Sequence, residues 1–465
     1  MFLASKWQTC RQTSQRAYSQ AIAGFSALGK SMLWLGSAQF SGRLVRVVSS
    51  ILLARIFTPE IFGQVAIIVT SFELICTLTR RITSVTLIRM NDEDFAKHLS
   101  SANWVNIIVC VFALLLMVIV GFGLVYYYQM PSLLWPMIVM SASFLLLPLG
   151  MNYATLNLRN NKMRIVGRAN LWQTIADGVL TALLAIAGMG IWAVIIPKVL
   201  VIFVWIAVHR YQNPLPSHGS AKRECQTGYL SAKFNTAKSQ CTMLLRTGVP
   251  VVLSDVVIAL RQHIDYLLIG YFLGLEALGV YFFVYNISLG ISLGLVNSFG
   301  TAFYSYICSH SKSKLQALKS ENTQDCQRRK FINSSFAIMA VTSVIIISQT
   351  ALAPWYVPFI YGDKWLATDA LSLFTFLCLS GLTRPLAEAA SQLLLANNLG
   401  KLNLKINLFL TATLAAAIIV GAQISTLAVA QAVMLCCLTL MPAVFYFSYN
   451  KVFRTNAHLS IGESL

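Results

Sequence analysis

Gln39, Arg43, Arg46 and Ser50 follow steps of four, three and four, which puts all four on one face of an α-helix. They belong to a span predicted at 31–54, most of it apolar enough to cross a bilayer. If that span begins near Ser31, a rise of about 1.5 Å per residue carries Arg43 roughly 18 Å deep, near the middle of a ~30 Å hydrocarbon core. A membrane helix with such a stripe must turn it toward water, a partner or a ligand. Arginine offers a fixed fork of donors suited to phosphate oxygens, and a low-dielectric wall strengthens its field. The chemistry implied is anion binding. Pairing of either arginine with an acid such as Glu73 or Asp265, or placement near the interface, is the alternative.

Other spans carry stripes of the same kind. The seventh has Ser254, Arg261 and Asp265 on one face, with Asp255 and Gln262 on the neighbouring one. Arg261 and Asp265 are four apart, so an intrahelical ion pair is one reading. The second span offers Thr70, Glu73, Thr77 and Arg80 or Arg81, the eighth Asn286 and Asn297, and the tenth Ser380, Arg384, Glu388 and Ser391. Stripes on so many spans fit a hydrated central cavity. Its candidate substrate contacts are Arg46, Arg43, Arg261, Arg384 and Gln39. Asp177, Asp255, Asp265, Glu388 and Glu73 are candidates to carry a coupling proton or sodium ion, or are hydrogen-bonded structural acids. Lys198, just after Pro197, is either a ligand contact or a packing residue. Arg80, Arg81 and Arg159 could gather an anionic lipid headgroup, or be ordinary basic residues at a membrane surface.

Catalytic and metal chemistry find no constellation. The six histidines (98, 209, 218, 263, 310 and 458) fall mostly in expected loops, and GxSxG, Walker and HExxH motifs are absent from the sequence. The ten cysteines have neither CxxC nor Cys/His ligand spacing. The sequence therefore predicts no cofactor and no enzymatic activity.

The elements that must hold these stripes are membrane helices. Of 465 residues, 57% are apolar and only 11% charged, with a mean hydropathy of +0.68. Spans are predicted at about 31–54, 61–79, 103–128, 132–156, 169–188 and 190–208, then at 247–273, 278–306, 332–360, 367–396, 402–421 and 425–448. A polar linker at 209–246 separates the two sets, and cytoplasmic tails are expected at 1–30 and 449–465. The net charge of +19 does not point to nucleic acid, because the basic residues alternate between loops. With the N-terminus inside, 28 of the 35 Lys and Arg fall in cytoplasmic segments and two, Arg55 and Lys364, outside. The other five, Arg43, Arg46, Lys198, Arg261 and Arg384, lie within spans. That bias predicts twelve spans with both ends cytoplasmic.

The two sets of spans also align with each other. ILLARIFTPEIFG (51–63) lies without gaps on LLIGYFLGLEALG (267–279), matching Glu60 with Glu276 and Gly63 with Gly279. LNLRNN, ending at Asn161, lies on LLLANN, ending at Asn398. The expected fold is an all-α membrane protein of about twelve helices in two six-helix lobes, 31–208 and 247–448, related by a pseudo-two-fold axis around a central cavity.

Three stretches extend this to a resemblance. RVVSSILLARIFTPEIFGQVAI, GIWAVI and IDYLLIGYFLGLEALGVYFFVYNI resemble the oligosaccharide flippases of the polysaccharide-transport branch of the multidrug, oligosaccharidyl-lipid and polysaccharide exporter superfamily. The resemblance spans about 30–450. It implies alternating access that moves an undecaprenyl-diphosphate-linked oligosaccharide across the bacterial inner membrane for O-antigen, capsule or exopolysaccharide synthesis. It implies membrane lipids as surroundings, and a polysaccharide polymerase and chain-length proteins as partners. Arg46 is the functional candidate that sits in a matching position; Arg55, Pro59, Glu60, Gly63, Asp265, Gly270, Gly274 and Gly279 match as well. Alternatives are a drug/cation antiporter of the multidrug-extrusion branch, or a membrane glycan polymerase or ligase, which would need a larger outside loop.

Overall fold

A computed structural model of the chain describes residues 42, 45–46, 48–90, 92–160, 162–211, 229–314, 322–361, 369–397 and 399–453. Gln39, Arg43 and the expected tail 1–30 lie outside the described residues, as do residues 212–228 of the predicted linker and the residues after 453.

The described chain is almost wholly helical, as it must be where no water is available to hydrogen-bond a free peptide group. In the first half, α1 covers residues 48–56, with helical positions back to Gly42. It is followed by α2 (Pro59–Arg80), α3 (Ser84–Arg89), α4 (Asp92–Tyr128), α5 (Leu134–Ser141), α6 (Ser143–Leu146), α7 (Pro148–Arg159), α8 (Met163–Ile186) and α9 (Trp192–Arg210). In the second half come α10 (Tyr229–Lys314), α11 (Asn322–Tyr361), α12 (Ala370–Ser380), α13 (Arg384–Ala396), α14 (Gly400–Ala422) and α15 (Thr426–Phe453).

Among the described residues nine helical segments are long and apolar enough to cross a membrane, or ten if a pair bent by 51° at Leu147 counts as one span. The pair contains α5, α6 and α7, and Pro148 opens the second limb. Two predicted boundaries shift: the helix expected from 103 begins at Asp92, and helix returns at Tyr229 inside the expected linker.

α2 shows how the sequence sets an element. Thr58 caps it, accepting from the Ile61 N–H at 3.4 Å. Pro59 occupies the first turn, where a missing N–H costs nothing, Glu60 complements the positive end of the helix dipole and Arg80 the negative end. Serines and threonines within the spans hand their hydroxyls back to the preceding turn, as Thr77 Oγ1 does to the Glu73 carbonyl at 2.8 Å.

α10 is broken at Gly274, whose φ of 86° and ψ of 178° are readily adopted only without a Cβ. The chain doubles back there: Gly270 lies close to Leu278, and the Tyr281 hydroxyl reaches Asp265. α10 therefore contributes two antiparallel arms. The first arm runs beside α2 from Ile67 to its Arg80 end, and the start of the second arm packs against Pro59 and Gly63. A Cβ on Gly63 would stand 1.8 Å from the Leu275 carbonyl oxygen, and one on Gly279 1.8 Å from the Pro59 carbonyl oxygen. The two contacts are reciprocal, and the same sequence offset carries Pro59 onto Leu275 and Gly63 onto Gly279. At the other end of α2, a Cβ on Gly248 would stand 1.9 Å from the Ile82 carbonyl oxygen.

The main core, with Tyr281, Phe57, Phe144, Ile67 and Ile68 among its most buried side chains, draws on both halves of the sequence. Large apolar side chains remain exposed around it, including Trp104, Ile108, Phe112 and Leu115 of α4, which is the surface a hydrocarbon solvent requires.

Candidate functional site

A cavity of about 700 Å³ opens among α1, α2, α7, α8 and α9. Its walls are the early part of α1 (Gly42, Arg46), the later part of α2 (Val69 to Arg80), Ser84 at the start of α3, α7 from Met151 to Leu158, the middle of α8 (Asn170 to Asp177) and α9 from Lys198 to Trp205. Every one of these segments lies toward the Arg80 end of α2. At the opposite, Pro59, end the reciprocal glycine contacts bring α2 and α10 together.

Arg46 reaches the cavity because α1 is pressed against α8. A Cβ on Gly178 would meet Val45 Cγ1 at 2.5 Å and Ser49 Oγ at 2.8 Å, so the two helices touch where α8 has no side chain. Ser49 Oγ donates to the Gly178 carbonyl at 3.2 Å and fixes the rotation of α1. One helical turn earlier, Arg46 is exposed within the cavity wall.

The cavity's two carboxylates are taken. Lys198 Nζ of α9 lies 3.4 Å from Asp177 Oδ2 of α8, both side chains about a quarter exposed. Glu73 Oε2 lies 3.4 Å from His263 Nε2 of α10. Arg46 and Arg80 meet no carboxylate within ion-pair distance among the described residues. Arg46 therefore faces the space without a carboxylate partner among the described residues, while Arg80 shares Glu73 with His263, and a low-dielectric wall strengthens the pull of this excess positive charge on an anion. Asn170, Gln173 and Thr174 line the cavity beside Asp177, and Trp205 closes it against Gly150.

The second half treats its polar stripe differently. Asp265 is buried; Tyr281 donates its hydroxyl proton to Oδ2 at 3.1 Å, and the Tyr266 N–H donates to Oδ1 at 3.0 Å. Arg384 donates to the Tyr285 hydroxyl at 2.9 Å. Tyr266 packs edge-on against Tyr281 and Tyr285, with centroids 6.0 and 5.3 Å apart. Glu388 Oε1 accepts from Gln392 at 2.7 Å. The Nε atoms of Arg261 and Arg384 are buried without a hydrogen-bond partner among the described residues.

Several expectations therefore change. Among the described residues the lining of this cavity comes from the first half of the chain, and Arg261 and Arg384 are not part of it. Arg261 and Asp265 form no intrahelical ion pair, since Asp265 is occupied by Tyr281 and the Tyr266 amide. Asp255 of α10 pairs with Arg81, at 3.0 and 3.3 Å to Nη1, and so ties α10 to the end of α2. Of the expected pairings of the α1 arginines with Glu73 or Asp265, none forms at Arg46, and Arg43 lies outside the described residues.

Sequence reasoning passed over His263, which sits inside a span, and over the polar face of α8. The signal for the latter was legible: Asn170, Gln173, Thr174 and Asp177 fall at i, i+3, i+4 and i+7. His263 carried no such signal, because its partner is far away in sequence.

Comparison with known proteins gives a consistent picture. A family model described as polysaccharide biosynthesis protein matches residues 52–370. The teichuronic acid biosynthesis protein TuaB of Bacillus subtilis (strain 168) is 23% identical over 310 residues, 66% of this chain and 58% of that protein's length. Among solved structures, the fold matches an inward-facing multidrug resistance MATE family transporter of the MOP superfamily with a TM-score of 0.65 and 11% identity, over 90% of this chain and 98% of that one. It matches the lipid II flippase MurJ, in an inward closed conformation, with a TM-score of 0.65 and 13% identity, over 90% and 87% of the two chains. At these identities the likeness is one of fold.

Proposed function

The chain belongs to the polysaccharide biosynthesis protein family, and from that premise we propose that it is a flippase moving a polyprenyl-diphosphate-linked oligosaccharide across the bacterial inner membrane. It is a multi-pass membrane protein whose fold neighbours include a multidrug transporter and a lipid II flippase. The observation that carries the reading is the cavity of about 700 Å³ in which both acids are paired and Arg46 meets no carboxylate among the described residues, with Arg80 beside it.

In this proposal Arg46 and Arg80 hold the diphosphate, with Arg43 adding to them from the same helix face. Asn170, Gln173 and Trp205 face the sugars, and the polyprenyl tail stays in lipid. The charge distribution supports a cytoplasmic setting for both chain ends, which turns the Arg80 end of α2 inward. The cavity then opens on the side where the lipid-linked unit is made, and the glycine contact at the Pro59 end closes the opposite side. Transport follows if the halves 31–208 and 247–448 rock about the α2/α10 seam so that the closed and open ends exchange. A proton or sodium gradient supplies direction. Arg261 and Arg384 join the route only in the state that opens toward them. A polysaccharide polymerase and chain-length proteins would receive the unit on the far side.

A drug/cation antiporter is the competing reading, and the multidrug transporter among the fold neighbours keeps it in view. A wall whose described residues carry more positive than negative side chains, Arg46, Arg80 and Lys198 against Glu73 and Asp177, repels an organic cation and attracts a diphosphate. Binding of undecaprenyl diphosphate and of a lipophilic organic cation to the full chain in lipid nanodiscs separates them. Saturable binding of the diphosphate that weakens in Arg46→Ala supports the flippase; binding of the organic cation alone sinks it.

A further inference from the structure

We propose that Trp205 is the platform on which a sugar ring of the transported unit stacks, and that Gly150, Asn157 and His209 hold its indole in position. The inference rests on the transport reading and deepens it, because it names the group that tells a sugar-bearing lipid from a bare one.

The arrangement follows from two helix faces. Trp205 and His209 are four apart on α9, and Gly150 and Asn157 are seven apart on α7, so each pair shares a face of its helix. The two faces meet. A Cβ on Gly150 would stand 2.4 and 2.9 Å from Trp205 Cζ3 and Cε3, so one edge of the indole lies on α7 where that helix has no side chain. One turn further along α9, the His209 ring packs edge-on against Trp205, with centroids 4.9 Å apart. His209 is 2% exposed and is itself held by Asn157, whose Nδ2 donates to the His209 carbonyl at 3.1 Å and lies 3.2 Å from Nδ1. Asn157 is fully buried, so losing these bonds would leave polar groups unpaired away from water. An indole fixed in this way gives up little rotamer freedom when a ligand arrives.

The rest of the Trp205 side chain is partly exposed and lines the cavity. α8 and α9 are joined by the short turn 187–191, and the contact of Lys198 with Asp177 sets their antiparallel register. Seven residues onward from Lys198 in α9 and seven back from Asp177 in α8 bring Trp205 and Asn170 to about the same level. Asn170, Gln173 and Thr174 supply the polar part of that wall. Thr174 Oγ1 donates to the Asn170 carbonyl at 2.8 Å, while the side-chain amides of Asn170 and Gln173 meet no hydrogen-bond partner among the described residues. A sugar ring divides its chemistry in the same manner: hydroxyls at its edge pair with amides, and the C–H bonds of its face present an apolar surface to an aromatic ring. A bare diphosphate would leave the indole uncovered, and an apolar ligand would leave the amides unpaired.

The test is equilibrium binding of two probes, undecaprenyl diphosphate and undecaprenyl diphosphate-linked N-acetylglucosamine, to the full chain in lipid nanodiscs. The native protein should bind the sugar-bearing probe about ten-fold more tightly, the size of one aromatic contact with its accompanying hydrogen bonds. Trp205→Ala should bring the two affinities together by weakening the sugar-bearing probe alone, and Trp205→Phe, which keeps a ring, should retain most of the preference. Gly150→Ala takes no group from the site but drives a methyl into the indole, and should reduce the preference. Asn157→Ala should do the same through His209. The ratio of the two affinities is the readout that a merely structural role would not move, since a misfolded variant loses both. Equal native affinities, a preference that survives in Trp205→Ala, or equal weakening of both probes in that variant overturns the platform. Each of these leaves diphosphate binding at Arg46 standing, whereas failure of undecaprenyl diphosphate to bind the native protein overturns the transport reading itself.

Discussion

The two halves of the chain carry polar stripes of similar composition and use them in opposite ways. In the first half the stripe opens into a cavity: Asp177 is matched by Lys198, Glu73 by His263 with Arg80 beside it, and Arg46 faces the space without a carboxylate partner among the described residues. In the second half the Tyr281 hydroxyl donates to Asp265 and the Tyr285 hydroxyl accepts from Arg384, while the Tyr266 ring packs edge-on against both tyrosines. An intramembrane arginine is therefore a ligand candidate only where its neighbours are small enough to leave room and its acids are already paired. Where aromatic side chains close around it, the same residue becomes part of the packing.

Substitutions can break or sharpen this contrast. The largest effect is expected at Arg384→Ala, which removes a buried guanidinium and the donor to Tyr285; a loss of about 3 kcal/mol should appear as a clearly lowered melting temperature in detergent. Arg46→Ala should leave the melting temperature nearly unchanged and instead weaken undecaprenyl diphosphate binding by roughly 10- to 100-fold, about 1.5–3 kcal/mol for one charge-assisted contact. If Arg46→Ala destabilises and Arg384→Ala reduces binding alone, the assignment of the two regions is reversed. Tyr281→Phe strips one donor from buried Asp265 and should destabilise by about 1.5 kcal/mol without affecting diphosphate binding, as isothermal binding measurements would report. The smallest effect belongs to Arg81→Ala: the pair with Asp255 is half in solvent, so about 0.5 kcal/mol or less is expected, fading further at high salt.

Much of the fold was legible because membrane helices announce themselves locally. Hydropathy located the described spans of α2, α4, α8, α9, α14 and α15 to within a few residues, except the long start of α4. The same offset that aligned Gly63 with Gly279 reappears as the reciprocal contact between α2 and α10. The site was only partly legible. Arg46 was found because four-and-three spacing is visible without a partner. Arg261 and Arg384 were grouped with it because spacing records a helix face and says nothing about what fills the volume in front of it. His263 was overlooked because its significance depends on Glu73, on another helix.

By itself the sequence determined that this is a helical membrane protein and which faces of its helices are polar. These are consequences of local periodicity and of the bilayer's demand that every peptide group be bonded within its own segment. Only the tertiary structure decided which cations are left for an anion. That depends on Lys198 reaching Asp177, on His263 reaching Glu73 and on tyrosines occupying the second stripe, all contacts between side chains on helices brought together by packing.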